Sequence, residues 1–295
     1  MALVVTLLAT SLFPADRKPA KTPFDVKGFV LVGFGVFLLV LGMDSLADKH
    51  LDGLAIALQI GLAAIVLAVA ARYCLRAANP ILDLKLLRIR TFRIAFLTGG
   101  ALDTIGMASV MFLLPLLFQI GFGMTAVRAG SLTFVAAVGA LIVRFFMPTI
   151  LRLTGFRSLL VVNTPIAAAL VAGFSFVQPS TPLWIVLAYI FVFGMFRSAQ
   201  WASTGNLAYS DIAPEQLARF SALYYILWQL SVAVSVGMAA ALLSFLAGSG
   251  PPRTEDFHTM FLIEGAITLC ALLAYLRLKP EDGSHVSGNR PISTE

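Results

Sequence analysis

Charge is scarce in this chain. Asp, Glu, Lys and Arg together make up 12% of its 295 residues, about half the share found in soluble domains. With 59% hydrophobic residues and a mean hydropathy of +0.91, a soluble globular domain is excluded. Cysteine is rarer still. Cys74 closes one apolar run and Cys270 lies inside another, so neither a disulfide framework nor a cysteine metal site is expected. The three histidines, His50, His258 and His285, fall in loops or the tail without metal-ligand spacing. There is no Walker glycine loop, paired-aspartate prenyl-diphosphate motif, HExxH or GxSxG. Enzyme chemistry, metals and cofactors are therefore not expected. Strict alternation over ten-residue segments is also missing, which excludes a membrane β-barrel.

What remains is a succession of apolar runs, which predicts an all-α, polytopic membrane bundle. Eight runs are long enough to span a bilayer as helices: 26–42, 53–75, 94–119, 129–151, 158–177, 183–207, 221–247 and 257–276. Residues 1–13 are apolar too, but as a helix they cover only about 20 Å of a core about 30 Å thick. They read as the end of a truncated helix, or alternatively as a short interfacial anchor. Asp25 is a plausible N-cap of the first full span, and Asn79-Pro80 opens either a basic surface helix or a solvated loop. The polar tail at 279–295 has the composition of a disordered segment.

The net charge of +6 does not point to nucleic acid, because the basic residues are spread over short loops between the spans. Alternating the loops puts sixteen of the 21 Lys and Arg on one side, against Lys49, Arg128 and Arg253 on the other; Arg144 and Arg197 lie within spans. That asymmetry predicts the carboxyl terminus in the cytoplasm, and the apolar spans place the chain in a lipid bilayer.

Polar residues inside the spans are the functional candidates. A charge at the centre of a lipid-facing helix costs about 2.5 to 3.5 kcal/mol, so such residues usually face a bundle interior or a wet cavity. Arg197, Gln200, Trp201 and Thr204 fall at i, i+3, i+4 and i+7 and share one helical face. Counting 1.5 Å per residue from flanking charges puts Asp103, Arg144, Arg197 and Gln229 about 12 to 21 Å from one face, near the bilayer centre. Asp103 is the first candidate for proton coupling, unless Arg144 or Arg197 pairs with it and makes it a structural counter-ion. Glu264 is the second, with an interfacial or packing role as its alternative.

Several stretches resemble one family. PFD at 23–25 with Gly28, NPILDLKLLRIRTFR at 79–93, LLPLLFQ at 113–119, GFR at 155–157 and FRSAQ with NLAYSDIAPEQ after it look like the carboxyl-terminal half of major facilitator superfamily proteins, in particular the fourteen-helix drug:proton antiporters of EmrB/QacA type. The resemblance implies a stub and loop at 1–22, two linker helices at 23–78, a juxtamembrane segment at 79–93, a six-helix bundle at 94–278 and the tail. It implies a substrate cavity lined by Asp103, Arg144, Arg197, Gln200, Trp201, Trp228 and Gln229, with Tyr224 and Tyr225 as further aromatic wall, and it makes the span holding Glu264 peripheral. It also implies proton-coupled efflux of drug-like or small organic solutes, with an amino-terminal six-helix bundle as the missing partner. The loop motif PTILRLTGFR carries Arg152 where the family often has an acid, which leaves no acid for a salt-bridge latch there. The competing expectation is a truncated remnant, or a half-transporter that needs a partner bundle.

Overall fold

The computed structural model describes residues 24–45, 53–248 and 250–289, so the stub at 1–13 and the last residues of the tail lie outside the described residues. The described part is a helical membrane bundle. Seven continuous helical segments are long and apolar enough to cross a membrane, and one of them, Ala126–Phe176, has 51 residues. A helix of that length would run about 75 Å, more than twice the hydrocarbon thickness. It is broken at Gly155, whose φ of 70° and ψ of 167° leave the helical region; glycine tolerates that conformation without penalty from a Cβ. Two spans result, giving eight in all.

We label them α1 (Val26–Ser45), α2 (Gly53–Arg76), α3 (Arg90–Gly121), α4 (126–154), α5 (156–173), α6 (Leu183–Ser210), α7 (Leu217–Ala247) and α8 (Thr254–Tyr275), with a short α9 (Ser284–Ser287) in the tail. Each full span matches an expected apolar run to within a few residues. The Asn79-Pro80 segment forms one 3-10 turn, Leu84–Arg88, capped by Asp83, which accepts from the Lys85 amide at 3.1 Å. Leu82 and Leu86 anchor it in the core.

Small residues set the packing. Gly139 lies against the Phe191 carbonyl and Gly194 against the Ala136 carbonyl, so α4 and α6 touch backbone to backbone. Ser198 donates to the Ala140 carbonyl along the same seam, while Tyr189 and Asn163 tie α6 to α5 at Leu170 and Phe196. The α5 pairings, Leu170 with Tyr189 and Asn163 with Phe196, run in reverse order, so α5 and α6 are antiparallel. α8 fits against α3 and α5 through Gly99, Gly106 and Gly265. α1 reaches α7 where Gly237 meets Met43.

The apolar core is divided in two. One cluster includes Phe92, Phe156, Leu207 and Phe220, at the end carrying most of the basic residues; the other includes Phe118, Phe174, Ile190 and Phe261, at the opposite end. Between them, α3, α5, α6, α7 and α8 contribute buried polar groups: Asp103, Thr104 and Ser109, Asn163 and Thr164, Gln200, Ser203 and Thr204, Ser235, and Glu264 and Thr268.

Two ties at the basic end were not visible in the sequence. Asp25 does cap α1, accepting from the Gly28 amide at 2.9 Å, but it also accepts from the Tyr73 hydroxyl at 2.8 Å and the Ile81 amide at 3.0 Å, joining α1, α2 and the following loop. The tail corrects the expectation of disorder over 279–289. Asp282 receives both carboxylate bonds from Arg90 at 2.9 and 3.0 Å, His285 contacts the Ser210 carbonyl at 2.8 Å, and Gly283, at a φ of 72°, sits against Phe156. Polar composition suggests disorder only while such partners are out of view. Arg152 forms no ion pair among the described residues, and the ion pair there, Arg90 with Asp282, fastens the tail instead.

The amide of Gly28, with the Tyr73 hydroxyl and the Ile81 amide, holds the Asp25 carboxyl below its ordinary range. A depressed folded-state value stabilises above the usual carboxylate range and is lost as pH falls beneath it. Asp25→Asn is expected to lower the melting temperature in detergent at neutral pH, and Asp25→Ala to lower it further. The gap between the native chain and Asp25→Asn should close as the buffer is acidified; a pH-independent gap would show that the carboxylate charge plays no part in this tie.

Candidate functional site

The residues singled out in the sequence divide among three places. α3 begins with a π-helical stretch, Arg93–Gly100, in which Thr98 donates to the Arg93 carbonyl five residues back at 3.2 Å. The bond is made by the Thr98 hydroxyl, which the Ile94 carbonyl shares at 3.2 Å. The π winding itself, of a kind often found at functional sites, brings the Ala95 carbonyl over Gly100 and leads directly into Asp103. A second π stretch, Leu117–Gly121, follows Pro115, which cannot donate to the preceding turn.

Asp103 is fully buried, and its Oδ2 accepts from Gln200 Nε2 at 2.6 Å and from the Tyr275 hydroxyl. Gln200 also donates to Thr164 Oγ1 at 2.8 Å and accepts from Asn163 Nδ2 at 2.6 Å. Four helices, α3, α5, α6 and α8, meet in this network. Asp103 Oδ1 has no partner, and among the described residues no arginine is paired with Asp103. The counter-ion alternative is therefore overturned, and so is the placement of Asp103 and Gln200 on a cavity wall.

The cavity itself belongs to α4, α6 and α7. A space of about 330 Å³ is lined by Arg144, Arg197, Trp201, Tyr224, Tyr225 and Trp228, with Ala140, Ser198 and Ala202 between them. The Arg197 guanidinium lies over the Trp201 ring, 4.7 Å from its centroid, and Trp201 meets Trp228 edge to face at 6.2 Å. Arg197 Nε and Trp201 Nε1 are buried donors without a partner. A larger space of about 700 Å³ adjoins it through Arg144 and Ala202 and is bounded by Arg152, Asn206 and the tail residues Val286 and Ser287.

Gln229 goes elsewhere. It borders an apolar groove of about 380 Å³ with Phe29, Val32, Val36 and Ile81, on the α1 side of α7. One residue after Trp228 turns the side chain about 100° around the helix, which depth counting cannot register. Glu264 corrects the interfacial expectation: it is fully buried, its carboxyl faces Ser109 of α3, and its carbonyl packs near Gly106 of the same helix. The tail wall was missed, since no pattern in 284–289 points to a cavity.

The family model described as "Major Facilitator Superfamily" matches residues 1–236. The chain belongs to the major facilitator superfamily. Among its curated relatives are proteins named "Putative multidrug resistance protein MdtD". The one from Pectobacterium atrosepticum is 26% identical over 94% of this chain and 60% of its own length. The one from Serratia proteamaculans is 26% identical over 98% and 60%, and the one from Escherichia coli O6:K15:H31 is 27% identical over 92% and 58%. The chain thus spans about 60% of the length of these facilitator relatives.

Gln200 bonds three neighbours at once, so Gln200→Leu should take one hydrogen bond from each of Asp103, Asn163 and Thr164 and cost about 3 kcal/mol in stability. Asp103→Asn keeps an oxygen able to accept from Tyr275 and should cost less. Equal losses for the two variants, measured by melting in one detergent, would refute the network's asymmetric dependence on Gln200.

Proposed function

We propose that this chain forms the carboxyl-terminal part of a facilitator-type exporter in a bacterial inner membrane, with its basic end and tail in the cytoplasm. Its solutes are drug-like or small organic molecules, and their export is coupled to protons. The observation that carries this reading is the cavity of about 330 Å³ walled by Arg144, Arg197, Trp201 and Trp228. A space of that size, aromatic with a few convergent polar groups, suits a small organic ligand, and transporters of this kind bind near the bilayer midplane between two bundles. The printed names of the relatives support the drug-like class.

Proton coupling is assigned to Asp103, with Glu264 as the second candidate. Both are carboxyl groups buried within spans and, among the described residues, without a cation beside them, and intramembrane carboxyls of this kind serve as proton relays in transporters. Gln200 and Tyr275 bond Asp103 to α6 and α8, and Gln200 is three residues from Arg197 on α6. Movement of α6 on substrate binding would therefore reach the carboxyl directly.

The second reading, a half-transporter that needs a separate partner bundle, draws on α4, where Phe134, Phe145 and Phe146 are 69%, 76% and 60% exposed. Lipid or a second bundle could cover that face. Detecting the native protein through its tail separates the cases: a species clearly heavier than 31.6 kDa would put both bundles in one polypeptide, whereas one at that mass would require the second from another chain.

In source cells, Arg197→Ala is expected to bring export of a fluorescent drug down to the level of a deletion strain, with the protein still in the membrane. Unchanged export would remove Arg197 from the site. Asp103→Asn should abolish uptake driven by a pH gradient in inverted vesicles while leaving substrate exchange intact; loss of both together would assign Asp103 a structural role only.

A further inference from the structure

The cavity wall is one-sided in its chemistry. Among the described residues its ionisable groups are two arginines and two tyrosines, with no carboxylate in the lining. The adjoining space of about 700 Å³ adds Arg152 and, among the described residues, no acid. The nearest candidate to balance this charge, Asp103, is fully buried and engaged by Gln200 and Tyr275. Arg197 Nε and Trp201 Nε1 are both donors buried without an acceptor. An unsatisfied buried donor costs free energy that an incoming acceptor recovers, and the gain is larger when that acceptor is charged.

We propose that this wall binds an aromatic or amphipathic organic anion, a carboxylate or sulfonate attached to a planar apolar body, in preference to a lipophilic cation. The anionic group lies between Arg197 and Arg144, and the planar body stacks on Trp201 and Trp228. Asn206 and Arg152 extend the same polarity toward the tail, so the ligand is met by positive charge along the whole basic half of the cavity. This assignment rests on the cavity being the transport site; it adds the sign of the ligand.

Three probes that share one ring system test it: 1-naphthalenesulfonate, 1-naphthalenemethanol and 1-naphthylmethylammonium. Each is measured by equilibrium dialysis against the chain in phosphatidylcholine nanodiscs, with empty nanodiscs subtracted. The sulfonate should bind about tenfold or more tighter than the ammonium probe to the unaltered chain, a comparison that does not depend on any variant folding. Arg197→Gln and Arg144→Gln should each erase most of that preference, while Arg128→Gln, outside the cavity, should leave it. If the ammonium or alcohol probe binds as tightly as the sulfonate and Trp228→Ala weakens it, the anion assignment fails but the site stands. If neither Trp228→Ala nor Arg197→Gln changes the binding of any probe, the site itself fails and the assignment falls with it.

Discussion

A carboxyl group with no cation beside it, closed off from water by four helices, is the constraint to which the rest of this bundle answers. Asp103 can stay at that depth only if donors are brought to it, and each donor comes from a different helix or is held by one. Gln200 can reach it because α6 lies against the π-wound part of α3, and Tyr275 because Gly99 leaves room for the ring. The glycine contacts, the π-wound start of α3 and the polar layer between the two apolar clusters are then parts of one arrangement. Packing in a membrane gains little from apolar burial, since lipid is as apolar as the helix surface. Close approach and satisfied polar groups take over that role.

The same layer explains how the molecule keeps two chemistries apart. On one side of α6, Gln200 looks inward to a buried hydrogen-bonded network in which Asp103 Oδ1 is left without a partner among the described residues. On the other, Arg197 and Trp201 look toward an open cavity with donors left over. A single helix face about 100° wide thus separates a group that handles protons, as we propose, from a surface that handles solute. Any rotation or tilt of α6 is felt by both.

The sequence reading recovered the helical class and all eight spans, because runs of twenty apolar residues admit few other structures. It also singled out Arg197, Trp201, Arg144 and Trp228, which line one cavity in the structure, since polar or aromatic residues at one depth in several spans converge when the helices bundle. It went wrong where direction around a helix matters more than depth. Gln200 sits at the edge of the polar stripe and falls to the opposite neighbour, Gln229 turns one residue too far, and Glu264 on an outer helix points inward. Such choices depend on which helices are adjacent, information that periodicity does not hold. The tail was misread for a related reason: Asp282 and His285 look solvated until Arg90 and the end of α6 are placed beside them.

The fastening of that tail has a practical corollary. Arg90 and Asp282 bind it to the start of α3, His285 to the end of α6 and Gly283 to the corner between α4 and α5. The segment is therefore a passenger of the six-helix group, riding with it as one piece. A spectroscopic label on an exposed tail position such as Val286 would report the attitude of the whole group in the membrane, so the tail can serve as a pointer for any rocking motion that accompanies turnover.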